Sequence, residues 1–178
     1  MRFRYWIIAA IVLFSVGIAL GLMVKADFIT QNVAAIKELG ATLKPFRIST
    51  AVFIYLKNVS TLLLSFVFAP VFLLLPIFAL AVNGWILSFV VVLAAQQKSL
   101  GFALAAILPH GILEIPAIII GEAAALSFGV AMLATLFARG RGQLLPNLRR
   151  SLKYLVIAAI LLIPAAFIET FITPLLVR

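Results

Sequence analysis

Residues 58–82 read NVSTLLLSFVFAPVFLLLPIFALAV, 25 positions without a charge. A hydrocarbon core of about 30 Å needs roughly 20 apolar residues as a helix, so this run is long enough to cross a bilayer. It contains Pro70 and Pro76, which predict kinks. Immediately after it comes NGWILSFVVVLAAQQKSLGFALAAILPHG over residues 83–111. Asn83-Gly84 breaks the apolar pattern, and Trp85–Ala95 is apolar for only 11 residues, about 16 Å as a helix. Gln96, Gln97, Lys98 and Ser99 form a polar turn. Leu100–Leu108 is a second short run, ended by Pro109-His110-Gly111. Asn83 and His110 are equally far from Gln96–Gln97, so the segment reads as a mirrored pair of short helices over 85–95 and 100–108. A re-entrant hairpin or two broken spans would fit it; a plain six-span bundle with two glycine kinks is the alternative.

The same character holds outward in both directions. Residues 5–24 form a 20-residue apolar run bounded by Arg2, Arg4 and Lys25, too long for a signal-peptide core and without a small-x-small site behind it. Within it, Gly17 and Gly21 make a GxxxG step suited to close helix packing. Residues 116–138 and 153–176 supply two further spans, the latter containing Pro164. Residues 27–44 differ. Ile29, Val33, Ile36 and Leu43 recur at helical spacing among Thr30, Gln31, Lys37 and Glu38, with Asp27 able to cap the start and Pro45 to stop the run. This is the pattern of an amphipathic helix lying in the membrane interface.

Composition agrees. Of 178 residues, 66% are hydrophobic and 11% charged, against roughly 25% charged in soluble domains. Mean hydropathy is +1.29. A soluble domain of this size could not bury so much apolar surface. The chain therefore reads as a single all-α, polytopic membrane domain, 1–178, in the cell membrane. The absence of cysteine excludes thiol catalysis, Fe–S clusters and thiolate zinc sites. The net charge of +9 fits lipid headgroups flanking spans rather than nucleic acid, because no basic run is interleaved with aromatics. No cofactor-binding motif is visible. Arg139-Gly140-Arg141-Gly142 lacks the strand–helix setting of a phosphate loop. Lys/Arg counting places the basic segments 25–57 and 139–153 inside and both termini outside.

Three of the five acids, Glu114, Glu122 and Glu169, sit in or beside apolar runs. A carboxylate at membrane depth is costly unless paired or wetted, so each is a functional candidate. His110 and Glu114 are four apart and would share a helical face; alternatively Pro116 starts a helix and Glu114 complements its positive end. Depth counting puts Glu122 and Glu169 at one level, with Asn83 and His110 just above. The expectation is one intramembrane polar cluster of Asn83, His110, Glu114, Glu122 and Glu169. It could pin the hairpin through hydrogen bonds, relay a proton or cation, or hold a metal through His110 and Glu114.

The run Leu108-Pro109-His110-Gly111-Ile112-Leu113-Glu114 resembles the LPHG-x-x-E signature of the stage II sporulation protein M-like membrane family. Asn58, followed 25 residues later by Asn83-Gly84, is similar to that family's spacing. The ending Ala165–Pro174 (AAFIETFITP) resembles its last-span motif. Carried over by position, the resemblance marks Asn58, Asn83, Gly84, His110, Gly111, Glu114 and Glu169. Glu122 has no assigned place in it. The family's named member assembles with a cell-wall hydrolase during forespore engulfment. The resemblance thus implies a non-enzymatic membrane component that associates with itself or with envelope-remodelling partners. A transporter or channel built on the polar cluster is the second reading, and a metal-dependent intramembrane enzyme the third.

Overall fold

The computed structural model describes residues 2–24, 44–137 and 144–177. These residues are helical throughout, with short turns and no strand. The elements are α1 (Phe3–Leu22), α2 (Ile48–Phe68), α3 (Leu74–Gln97), α4 (Leu100–Leu136), α5 (Leu144–Phe167), a π-helical turn Ile168–Ile172, and α6 (Thr173–Leu176). Five helices are long and apolar enough to cross a membrane, the fifth counted as Leu144–Leu176. The amphipathic helix expected over 27–44 lies outside the described residues, except for Lys44 at its end. Arg139, Arg141 and Gln143 lie outside them too.

The span boundaries differ from those read off the sequence. The 58–82 run is not one kinked span. Pro70 has no N–H to continue a helix, so α2 ends at Phe68; Pro76 sits in the first turn of α3, where no intrahelical N–H is required. Asn83-Gly84 does not break α3. The Asn83 amide donates to Ala79 O at 2.7 Å, one turn back, and the helix runs on to Gln97. Pro109-His110-Gly111 does not break α4 either, which continues through Pro109 and Pro116 for 37 residues, about 55 Å. The pair of short helices over 85–95 and 100–108 is therefore the adjoining ends of two full-length helices. The span expected over 116–138 is the second half of α4, and the one over 153–176 starts earlier, at Leu144. Where the helices run on, at Asn83-Gly84, Pro109 and Pro116, one reason serves. Without water to satisfy a broken backbone, the helical path is kept across residues that would interrupt it in a soluble protein, and each proline forgoes only its own N–H bond. The polar turn expected over Gln96–Ser99 is shorter: α3 runs through Gln97 and the chain turns at Lys98-Ser99. Ser99 caps α4 by accepting from Phe102 N–H at 3.1 Å, and the Lys98 ammonium sits 4.0 Å from the Phe102 ring centre.

Small residues set the packing. Gly17 and Gly21 of α1 face α3 of the same chain. A Cβ on Gly17 would lie 2.1 Å from Ala81 O, and one on Gly21 would lie 2.6 Å from Trp85 O. Gly84 reciprocates: a Cβ added there would collide with Phe14 O. The pairs advance together along both helices, so α1 and α3 are parallel. α4 is the central element, touching α1, α2, α3 and α5, and buries Ala117, Gly121, Ala123, Ala124, Ala125 and Gly129. Along it runs α2 in the same direction: Asn58 meets Glu114, Leu62 covers Gly121, and Phe66 stacks on Phe128 with ring centres 4.8 Å apart. At one end Phe3 stacks on Tyr154 of α5 at 3.7 Å. At the other, Phe46 N–H donates to Thr170 O at 3.2 Å.

These contacts give α1, α3 and α5 one direction and α2 and α4 the other. The described ends of the chain, Arg2 and Val177, therefore lie at opposite ends of the bundle. The same directions put the basic ends of α2 and α5, Arg47 and Arg149-Arg150, on opposite faces. The expectation of two external termini and one shared basic face, reached by counting Lys and Arg, does not agree with helices running in these directions.

Candidate intramembrane polar site

Asn58 is buried on α2 and reaches across to α4, where its Nδ2 donates to Glu114 Oε1 at 2.9 Å. Because α4 is continuous, His110 and Glu114 share one face, and His110 Nε2 lies 3.9 Å from Glu114 Oε2. The helix start proposed at Pro116 is absent. The other imidazole nitrogen, His110 Nδ1, is 3.3 Å from Thr173 Oγ1 of α6. Glu169 comes from the π-helical turn preceding α6. One ligand atom each from His110, Glu114 and Glu169 can be chosen so that all lie within 4.8 Å of one another.

A cavity of about 240 Å³ is lined by Lys57, Asn83, His110, Glu114 and Glu169, with apolar walls that include Ile118. A second cavity of about 200 Å³ is lined by Lys57, Asn58, Asn83, Ile118 and Glu122. The two share Lys57, Asn83, Ile86 and Ile118, so they adjoin. Glu122 is 0% exposed and neither carboxyl oxygen has a hydrogen-bond partner of acceptable geometry. Ser65 of α2, itself 1% exposed, is the polar side chain facing it. Glu122 lies eight residues beyond Glu114, about 12 Å along α4.

The structure thus brings Asn83, His110, Glu114 and Glu169 around one space and puts Glu122 in the adjoining one, not level with Glu169. Asn83 does not bond to His110; its amide is turned back to Ala79 O. Of the two motif glycines, Gly84 admits α1, whereas a Cβ on Gly111 would make ordinary 3.6 Å contacts with Ile107 and Ile115. Two residues were missed. Lys57 reads as a flanking base if the span starts at Asn58, but α2 starts at Ile48, so Lys57 is about 14 Å into the helix and lines both cavities. The apolar run Ala51–Leu56 ahead of it was the available signal. Thr173, four residues after Glu169, carried no signal beyond its place in the last-span motif.

Residues 10–174 match the sequence family described as Stage II sporulation protein M. The chain belongs to this family. The matched region contains the whole polar site: His110, Glu114 and Glu169 line the first cavity and Asn58 the second. Among curated proteins, the chain is similar to an uncharacterized protein of Methanocaldococcus jannaschii. The two are 28% identical over 151 residues, which is 83% of this chain and 67% of that one. No solved structure matches this family member.

Proposed function

We propose that this protein is a cell-membrane component that conducts or couples to the movement of a cation, proton included, through its intramembrane polar site. The observation carrying this reading is the pair of adjoining cavities. They bring Lys57, His110, Glu114 and Glu169 around one space and Glu122 to the next, all within helices long enough to span. Ionisable side chains are expensive in a membrane interior and characteristically line ion or proton paths. A cluster serving only to hold helices together would use neutral amides and hydroxyls at smaller cost. The test is flux. Proteoliposomes containing the protein should dissipate an imposed cation or proton gradient, and Glu169→Gln and Glu122→Gln should each abolish it. Flux that persists in both variants would sink the reading.

The second reading is assembly with itself or with envelope-remodelling partners. It is favoured by membership of the sporulation-named family across residues 10–174. The GxxxG step of α1 does not add to it, because both glycines are occupied by α3 of the same chain.

A further inference from the structure

We propose that His110, Glu114 and Glu169 bind a first-row divalent cation. The inference rests on the reading of this cluster as the working site and names the ion it takes.

The ligand set is one imidazole and two carboxylates, drawn from α4 and from the π-helical turn, with candidate donor atoms within 4.8 Å of one another. Around a metal at about 2.0–2.2 Å from each donor, ligand atoms sit nearer 3 Å apart, so a modest closure completes the shell. Two of the ligands are already oriented. His110 has its Nδ1 on Thr173 Oγ1, which points Nε2 at the carboxylates. Glu114 has Oε1 held by the Asn58 amide, which leaves Oε2 on the side of His110. Ligands fixed by a second layer of hydrogen bonds in this way are a usual feature of metal sites.

Charge points the same way. Among the described residues no lysine or arginine nitrogen lies within 4 Å of Glu114 or Glu169; His110 is the only basic group that close. Two carboxylates face this intramembrane cavity with Lys57 as the one amine on it, so one negative charge is left for a cation to balance. In the adjoining cavity the fully buried, unpartnered Glu122 is a further acceptor for the same ion, about 12 Å along α4. The π-helical turn belongs to this design. It inserts a wider turn at Ile168–Ile172, and such turns recur at functional sites. An imidazole among carboxylates selects manganese, iron, cobalt or zinc over magnesium or calcium. A 240 Å³ space leaves coordination positions for water. Lys57, which lines the same cavity, is the competing positive charge.

Tag-free, metal-stripped full-length protein in detergent would be titrated with Co²⁺, read by visible absorption and equilibrium dialysis, with Zn²⁺ as competitor. The expected result is one Co²⁺ per chain. His110→Ala should remove it, and Glu169→Gln should weaken it at least tenfold. Thr173→Val, which leaves every ligand in place, should weaken it about tenfold. Lys57→Met should tighten it several-fold, an effect that a merely structural cluster would not produce. Each variant would first be checked for helicity and monodispersity; if His110→Ala does not fold, Thr173→Val and Lys57→Met carry the test. No stoichiometric binding, or binding indifferent to these changes, overturns the inference. Gradient dissipation without metal binding would overturn it while leaving the transport reading intact. Metal binding without flux would support it and overturn transport.

Discussion

Asn58 and Glu114 are 56 residues apart in sequence and joined by a single 2.9 Å hydrogen bond that ties α2 to α4 in the middle of the bundle. Asn58→Leu keeps the volume but leaves Glu114 Oε1 without its donor. The expected cost is about 1–3 kcal/mol, the price of an unsatisfied group in a buried site. Unfolding titrations in mixed detergent micelles would measure it. A stability equal to that of the unaltered chain would show that the bond carries nothing.

The two motif glycines should respond in opposite ways. Gly84→Ala pushes a methyl group onto the backbone of α1 and should lower the thermal midpoint markedly, because the atom in the way is a carbonyl oxygen. Gly111→Ala adds a methyl group at ordinary contact distance and should leave stability unchanged or raise it by up to about 1 kcal/mol through helix propensity. Thermal unfolding of both variants in one detergent gives the comparison.

Placement of Arg2 and Val177 on opposite faces can be tested on a chain with no native cysteine. Arg2→Cys and Val177→Cys should react with a membrane-impermeant maleimide from opposite sides of sealed vesicles. Labelling from one side only would remove a crossing from the fold.

Glu122 should be a stability liability. Glu122→Met preserves bulk and removes two buried oxygens without partners, so the folded state should gain about 1–3 kcal/mol. The same substitution should abolish gradient dissipation in proteoliposomes. A gain in stability with unchanged flux would make Glu122 a bystander to transport.

Much of this was legible in the sequence, and unevenly so. The all-helical membrane class followed from composition, and the polar cluster from counting acids inside apolar runs. His110, Glu114 and Glu169 lie together, whereas Glu122, expected in the same pocket, faces the adjoining one. What misled was local grammar learned from soluble proteins. Asn83-Gly84 and Pro109-His110-Gly111 read as breaks because in water a freed carbonyl finds a partner; within a bilayer it does not, so both helices run through. A different rule, that a charge bounds a span, moved the start of α2 from Ile48 to Asn58 and hid Lys57 among the flanking bases. The role of Gly84 was visible as a motif position, yet nothing in the chain could say that its neighbour would be Phe14, 70 positions away.

An odd number of crossings has an effect on biogenesis. The described basic residues Arg2, Arg4, Arg149, Arg150 and Lys153 cluster toward one face, and Lys44, Arg47 and Lys98 toward the other. Insertion machinery that orients a chain by retaining its positive loops inside meets nearly matched claims from both sides. Orientation then depends on small margins. One basic residue gained or lost next to a helix end weighs heavily in deciding which face of the membrane receives the His110–Glu169 end of the bundle.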